Sequence, residues 1–195
     1  KIVEMNITDD ASVARAVELA VNQMEGMDVL VNNAGVGVLG LTEAFTADDV
    51  KKIFDVNVVG VHRMNRAVLP VMRKSGKGLV INISSLLGRI TVPFYGPYNA
   101  SKWALEGLTE NYRTEVSQLG IEVCIVEPGG YPTTFIDHLV RPSDKDRSKA
   151  YGPMGDMPEA FLQNFEKALA SNPAQDPTNV AKAISSLIAK PFGMR

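Results

Sequence analysis

A chain of 195 residues, 45% hydrophobic and 22% charged, has the composition of one ordinary globular domain. Its net charge of −2 gives no basic excess for nucleic acid or anionic membranes, and no apolar run approaches the length of a membrane span. The single cysteine, Cys124, excludes an intrachain disulfide, and we interpret it as a buried small hydrophobe in a reducing, cytoplasmic compartment. His62 and His138 have no companions at metal-ligand spacing, so no metal is expected.

Both ends of the sequence are unusual for a whole protein. It begins KIVEMNITDD, without an initiator methionine or a secretory pattern, and it stops in AKPFGMR, just after a predicted helix. We therefore expect both ends to be missing from a longer parent chain, through truncation or disorder.

Strands and helices alternate along the chain. Apolar runs ended by turn residues predict strands over 2–7, 28–35, 78–85 and 121–130. Apolar residues at helical spacing predict helices over 10–24, 47–73, 98–119, 158–170 and 177–189. The start and end signals are Asp9 or Asp10, Thr46 and Gly120. Residues 130–157, rich in Pro, Gly and charge, are expected to be irregular.

The predicted strands are continuously apolar, which is typical of a parallel sheet with helices on both faces. The sequence therefore predicts an α/β fold. In such sheets ligands bind beyond the carboxyl ends of the strands. Asn33, Ser85 and the pair Pro128–Gly129 follow three of these ends, so polar and glycine residues are expected along one rim.

Asn57 falls on the apolar stripe of the predicted helix 47–73, where a hydrophobic residue is expected. A buried amide without partners costs about 1–3 kcal/mol. It either caps a neighbouring backbone group or is a functional amide aimed at the strand rim. The helix alone favours neither interpretation.

The segment YNASK places Tyr98 one helical turn before Lys102. On a helix the phenol and the ammonium would be neighbours, and a nearby cation lowers the pKa of a phenol. The pair would then exchange protons near neutral pH. Either residue type is common, so this spacing alone is a weak signal.

Five motifs occur together in a specific order and spacing. They are NNAG, DVN, ISS, YNASK and EPGGYPT, and Ser85 lies thirteen residues before Tyr98. The set resembles the short-chain dehydrogenase/reductase family, strongly over residues 1–133 and loosely over 134–195, and most nearly its hydroxysteroid and retinol dehydrogenase branch. This resemblance implies a single Rossmann-like, doubly wound parallel sheet without the family's N-terminal βαβ portion and last edge strand.

The resemblance also implies roles for four residues. Tyr98 would be the general acid/base for the substrate oxygen, and Ser85 would hydrogen-bond that oxygen. Lys102 would hold the nicotinamide ribose hydroxyls and lower the pKa of Tyr98. Asn57 would anchor a water that links Lys102 to solvent.

The implied cofactor is NAD or NADP. Its contacts, carried over from the family motifs, are Asn6, Ile7, Asn33, Ala34, Gly35, Tyr98, Lys102, Pro128, Gly129, Tyr131 and Thr133. Tyr131 departs from the family pattern, in which a small aliphatic residue is usual. The family's glycine-rich turn, which binds the pyrophosphate at a helix N-terminus, is absent from this sequence. We therefore expect the 195-residue chain alone to bind dinucleotide poorly, and micromolar affinity in a titration would refute this.

A substrate lid is predicted over about 131–170. Its apolar residues, with two from the preceding loop, are Phe135, Leu139, Met154, Met157, Phe161, Phe165, Phe94 and Tyr95. Phe161 and Phe165 are favoured to pack a lid helix onto the core, and Tyr95 to line the substrate pocket. The Pro, Gly and charged residues of 141–156 predict a mobile flap that becomes ordered when substrate binds. The expected substrate is a hydrophobic secondary alcohol or ketone.

Small residues at Ala100, Ala104 and Gly107 permit close helix approach, and the resemblance implies a homodimer or homotetramer. Two other functions stay open. One is a dinucleotide-sensing regulator without turnover, although such proteins lose the catalytic tyrosine or lysine. The other is an epimerase or dehydratase, which would need a larger C-terminal domain than the residues after Thr133 provide.

Overall fold

The computed structural model describes residues 1–195. Its three strands, all parallel, lie side by side in chain order and are β1 Val29–Asn32, β2 Gly78–Ile83 and β3 Ile121–Val126. The register pairs Asn32 with Asn82 and Ile83 with Val126. The three carboxyl ends therefore lie along one edge of the sheet, as the sequence predicted.

Seven α-helices surround the sheet. They are α1 Asp10–Met24, α2 Ala47–Phe54, α3 Val61–Ser75, α4 Gly96–Val116, α5 Lys145–Ala150, α6 Met157–Ala170 and α7 Thr178–Ala189. A π-helical turn, Asp55–Gly60, joins α2 to α3. Asp9 caps α1, and Thr46 forms a capping box with Asp49 at the start of α2. None of the helices combines the length and apolar character that a membrane crossing requires.

A row of buried polar side chains crosses the sheet. Asn32 Nδ2 donates to Asn65 Oδ1 (2.9 Å) and to Asn82 Oδ1 (2.8 Å), and Asn82 Nδ2 donates to Thr109 Oγ1 (2.9 Å). These bonds connect α3, β1, β2 and α4 at the level of the last strand residues. Because buried polar groups tolerate few alternative partners, this row fixes the elements that carry the site.

Several predicted boundaries are wrong. Residues 2–7 form no strand, because no neighbouring strand pairs with them, and Asn6 N donates instead to Ser12 Oγ (2.9 Å). The predicted strands 28–35 and 121–130 end earlier, at Asn32 and Val126. The predicted helix 47–73 is divided by the π-helical turn, and the predicted irregular segment 130–157 contains α5.

Cys124 was predicted to be a buried hydrophobe, but the structure leaves it only half-buried on β3. Burial raises the pKa of its thiol.

The helices predicted over 158–170 and 177–189 agree with α6 and α7 within a residue, because their start signals and apolar spacing are local features.

Candidate active site

The structure brings Ser85, Tyr98 and Lys102 together at the carboxyl edge of the sheet, and all three side chains are buried. Ser85 lies two residues beyond β2, where its hydroxyl accepts a hydrogen bond from Leu87 N (3.1 Å). Tyr98 and Lys102 occupy successive turns at the start of α4, and Lys102 Nζ lies 5.7 Å from the centroid of the Tyr98 ring. A phenol, a hydroxyl and an ammonium thus share one buried site.

Burial dominates the protonation of both ionisable groups. It raises the pKa of Tyr98, and the neighbouring Ser85 hydroxyl opposes this rise. It lowers the pKa of Lys102 to about 8, and the charge of Glu106 opposes this fall. The expected lowering of the Tyr98 pKa is therefore not seen in the structure, because removal of the phenolate from water outweighs the hydrogen bond with Ser85. At neutral pH Tyr98 holds its proton, ready to donate it.

The Lys102 ammonium has unused donors. Its only protein acceptor is the Ile83 carbonyl oxygen, at 2.9 Å, and an ammonium carries three N–H groups. A methyl group added at Gly35 would lie 3.8 Å from Nζ, so the ammonium faces the backbone that follows β1. Two donors remain to bind a diol such as a ribose.

Asn57 lies in the π-helical turn and is fully buried. Its Nδ2 donates to Val36 O (2.9 Å) and to Ser101 Oγ (3.0 Å), and its Oδ1 accepts from Val36 N (2.8 Å). Both N–H groups of the amide are therefore used. Any water that Asn57 holds for Lys102 would have to use the amide oxygen or the backbone.

Sequence reasoning missed Ser101. It is buried on α4 between Tyr98 and Lys102, and its hydroxyl donates to the Tyr98 carbonyl oxygen (2.8 Å) while accepting from Asn57. The serine inside YNASK was one sequence signal for this role. Serine is unfavourable in a helix interior, where its hydroxyl tends to bond to a preceding carbonyl oxygen.

The predicted cofactor contacts divide into two groups. Asn33, Ala34 and Gly35 follow β1, and the first two are exposed at the sheet edge. Pro128 and Gly129 follow β3, where Leu86 N donates to Pro128 O (2.9 Å). These five residues border the buried site.

The remaining predicted contacts lie outside that border. Asn6 and Ile7 precede α1, and the Ile7 side chain lies against Gly60 at the end of the π-helical turn. Tyr131 and Thr133 open the lid segment, and Thr133 Oγ1 accepts a hydrogen bond from Phe135 N (3.4 Å).

The residues present fit the ribose and nicotinamide half of a dinucleotide. Lys102 keeps free donors, and a side chain at Gly129 would meet nothing within 4 Å, so the backbone is open to a flat ring there. A glycine-rich turn for the pyrophosphate has no counterpart in this sequence.

Phe135 of the lid segment covers the catalytic tyrosine candidate. Its ring lies on that of Tyr98 with the centroids 5.8 Å apart. The segment is attached to the loop after β1, where Leu39 N donates to Val140 O and Val140 N donates to Gly37 O, both at 2.9 Å. The predicted lid segment therefore reaches Tyr98 through Phe135 and is joined to the loop after β1 through Val140.

Aromatic rings extend this apolar wall. Phe161 of α6 packs against Phe94 and Tyr95, with centroids 5.8 and 6.2 Å apart, and Tyr95 lies 6.5 Å from Tyr98. Phe94 has a left-handed backbone with φ of 70°, an unusual conformation for a bulky residue. Met154 and Met157, also predicted for the pocket, are half-exposed.

Residues 141–156, the predicted flap, make hydrogen bonds to the region around α2. Ser143 donates from N (3.1 Å) and Oγ (2.6 Å) to Asp49 Oδ2. Arg147 and Tyr151 both donate to the Glu43 carboxylate, at 2.8 and 2.5 Å. In this structure the segment is therefore attached through Ser143, Arg147 and Tyr151.

Comparison with known proteins assigns this chain to a family. A sequence model of the short chain dehydrogenase family matches residues 1–144. The chain belongs to that family. The resemblance predicted from the five motifs is therefore confirmed.

Relatives of this short chain dehydrogenase support the predicted branch. The chain is 38% identical over 166 residues to 3-ketodihydrosphingosine reductase of Bacteroides thetaiotaomicron, covering 85% of this chain and 60% of that protein. It is 35% identical over 191 residues to mouse 17-beta-hydroxysteroid dehydrogenase type 1, covering 98% and 54%. It is 33% identical over 192 residues to bovine retinol dehydrogenase 8, covering 96% and 60%. The chain thus spans just over half the length of these relatives.

Solved structures confirm the Rossmann-like fold class. A short-chain dehydrogenase from Streptomyces avermitilis superposes with a TM-score of 0.78 at 30% identity, over 96% of this chain and 66% of that one. A short-chain dehydrogenase/reductase from Burkholderia phymatum, solved in complex with NAD, gives 0.80 at 25% identity over the same shares.

Proposed function

We propose that this chain carries the catalytic centre of an NAD(P)-dependent oxidoreductase that interconverts a secondary alcohol and a ketone. The observation that carries the proposal is the burial of the Tyr98 phenol, the Ser85 hydroxyl and the Lys102 ammonium in one site at the carboxyl edge of the sheet. The dehydrogenase and reductase names of its relatives, and the NAD bound by a similar structure, support it.

The bound dinucleotide would supply the hydride that is exchanged at the substrate carbon. Ser85 would donate a hydrogen bond to the substrate oxygen and hold it beside Tyr98. In reduction Tyr98 would give its proton to that oxygen, and in oxidation its phenolate would take the proton back. Lys102 would bind the ribose hydroxyls with its free N–H groups, and its positive charge would stabilise the phenolate.

The other cofactor contacts follow from the border of the site. Asn33, Ala34 and Gly35 would form the wall beside the adenosine, and Pro128 and Gly129 would receive the nicotinamide. The family motifs add Asn6 and Ile7 near the adenine, and Tyr131 and Thr133 near the carboxamide and a phosphate.

The substrate class is an apolar alcohol or ketone. The rings of Phe135 and Tyr95 lie beside Tyr98, and Phe161 packs against Tyr95 behind them, so aromatic surface dominates this side of the site. The named relatives act on a ketodihydrosphingosine, a hydroxysteroid and a retinol, which share an extended apolar body. Activity restricted to small polar polyols would contradict this assignment.

Two further properties complete the proposal. We propose pairing of two copies through α4, where Ala100 and Gly107 are exposed and Trp103 is half-exposed, and light scattering showing only monomer would exclude it. We propose a cytoplasmic location, because one unpaired cysteine suits a reducing compartment.

The decisive experiment is Tyr98→Phe in the full-length protein, with Tyr95→Phe as the matched control. We expect Tyr98→Phe to lower kcat by at least about 100-fold, the usual contribution of a general acid/base, and to keep cofactor affinity in a fluorescence titration. Tyr95→Phe should retain turnover. Turnover that survives Tyr98→Phe would refute the proposal. Cofactor binding without any turnover in the unmodified protein would favour the dinucleotide-sensing regulator.

A further inference from the structure

Glu106 is a buried carboxylate to which the proposed reaction gives no role. It lies on α4 one turn after Lys102 and two turns after Tyr98, so the three side chains follow one another along the same face. Its residue exposure is 5%, equal to that of Lys102. Burying an ionised carboxylate costs folding free energy unless an opposite charge or hydrogen-bond donors lie close to it.

Glu106 connects α4 to the turn that carries Ser85. Its Oε2 lies 3.1 Å from Nη2 of Arg89, the residue that follows the 3₁₀ turn Leu86–Gly88. A methyl group added at Gly88 would lie 2.8 Å from both Glu106 Oε1 and Ser84 Oγ. The turn after β2 is therefore built closely around this carboxylate.

Arg89 neutralises the charge of Glu106 only in part. Arg89 is half-exposed and also binds Glu127, with 2.7 Å between Nε and Oε1. Lys102, in contrast, is a buried ammonium with no carboxylate within 4.0 Å, and its one hydrogen bond goes to a neutral carbonyl. Two buried groups of opposite charge thus lie one turn apart. Lys102 has no ion pair, and Glu106 shares its one partner, Arg89, with Glu127.

We propose that Glu106 is a positioning residue that keeps the Lys102 ammonium charged and holds the Ser85 turn against α4. The catalytic part of this inference rests on the proposed oxidoreductase function, whereas the coupling between Glu106 and Lys102 does not. Burial raises the pKa of Glu106, Ser84 and Arg89 oppose that rise, and Glu127 adds to it. The Glu106 charge in turn raises the pKa of Lys102 against the effect of burial.

Few other charges reach the pair. On α4 the only other one is Glu110, whose charge acts on Arg89. Arg89 faces Glu106 from the turn after β2, and Glu127 faces it from the loop after β3. Glu106 is the one charge that raises the pKa of Lys102, so its removal should lower that pKa further.

The direct test measures the pKa of Lys102 by NMR, from the ¹³Cε chemical shift in the full-length protein, with the signal assigned from its loss in Lys102→Met. We expect Glu106→Gln to lower this pKa by about one unit, the lower end of the effect of an adjacent opposite charge. The control Glu110→Gln removes the same charge one turn further along, at a half-exposed site, and should leave the pKa of Lys102 unchanged. An unchanged Lys102 pKa in Glu106→Gln would overturn the proposal.

Two further measurements keep the proposal testable if Glu106→Gln does not fold or loses stability. If Glu106→Gln does not fold, the Lys102 signal of the unmodified protein should still show a second inflection where Glu106 titrates, and a signal without it would overturn the proposal. In turnover, Glu106→Gln should move the alkaline limb of the pH profile about one unit lower, and Glu106→Asp should restore it. A mere loss of stability would not move that limb. Failure to find any turnover would refute the oxidoreductase function but leave the NMR result intact.

Discussion

The side-chain amide of Asn57 binds both backbone polar groups of Val36, accepting from its N at 2.8 Å and donating to its O at 2.9 Å. The same amide donates to Ser101 Oγ (3.0 Å), which donates to the Tyr98 carbonyl oxygen (2.8 Å). The π-helical turn, the loop after β1 and the first turn of α4 are therefore joined through one side chain. That connection fixes where the Tyr98 phenol lies relative to the predicted cofactor wall.

We expect Asn57→Ala to destabilise the full-length protein by about 2 kcal/mol, because it leaves the N–H and C=O of the half-buried Val36 without these partners. Turnover should also fall, since the first turn of α4 loses its support. Chemical denaturation measures the first effect. Asn111→Ala is the control, because Asn111 is exposed on α4 and its side chain makes only one hydrogen bond, to Gly107 O (3.0 Å). Equal destabilisation by the two variants would contradict this account.

Sequence reasoning identified Asn57 as anomalous but could not choose between its two readings. A polar residue on an apolar stripe is visible from spacing alone. Its partners, Val36 and Ser101, lie 21 and 44 residues away, and only the packing of the loop and α4 brings them together. The π-helical turn that places the amide there was not predicted, because the apolar spacing over 47–73 fits one continuous helix.

Asp49 should make stability depend on pH. Burial acts to raise its pKa, but the hydrogen bonds from Ser143 and Thr46 outweigh burial and lower the pKa to about 2, from an ordinary value of 3.8. The depressed pKa stabilises the folded state by about 2 kcal/mol above pH 4, and this contribution disappears as the pH falls through 2. The difference in unfolding free energy between unmodified protein and Asp49→Asn should therefore shrink on acidification.

Asp48→Asn is the matched control for that prediction. Asp48 lies on the same helix and pairs only with Lys51, at 3.1 Å, with both side chains exposed. An exposed pair of this kind contributes at most about 0.5 kcal/mol. A difference for Asp49→Asn that stays constant from pH 7 to pH 2.5 would show that its carboxylate is not the group that titrates.

Gly120 and Gly76 offer a test of backbone packing, since both end helical segments with φ near 70°. A methyl group at Gly76 would meet nothing within 4 Å, whereas one at Gly120 would collide with the carbonyl oxygen of Gly76. We expect Gly76→Ala to cost about 1 kcal/mol of stability, from the left-handed backbone alone. Gly120→Ala should cost at least about 3 kcal/mol because the collision adds to that strain. Equal losses in thermal denaturation would rule out the collision.

Helix ends were easier to predict than segments whose structure depends on partners far away in the sequence. Gly120 was expected to end a helix, and its positive φ agrees, because that signal is local. The strand predicted over 2–7 failed for the opposite reason. An apolar run becomes a strand only beside another strand, and Ile2 instead lies fully exposed. The attachment of 141–156 through Asp49 and Glu43 was likewise beyond local patterns.

Phe135 should control the use of apolar substrates. Its ring lies 5.8 Å from that of Tyr98, and a methyl group at Gly37 would meet it at 2.5 Å, so the lid is packed closely over the site. We expect Phe135→Ala to raise KM for an apolar ketone about tenfold, the effect of losing one good hydrophobic contact, while kcat changes less. Phe192→Ala, which removes an exposed ring near the end of the chain, is the control and should leave both constants unchanged. If Phe135→Ala lowers kcat as strongly as Tyr98→Phe and leaves KM unaffected, the ring supports the phenol and does not contact substrate.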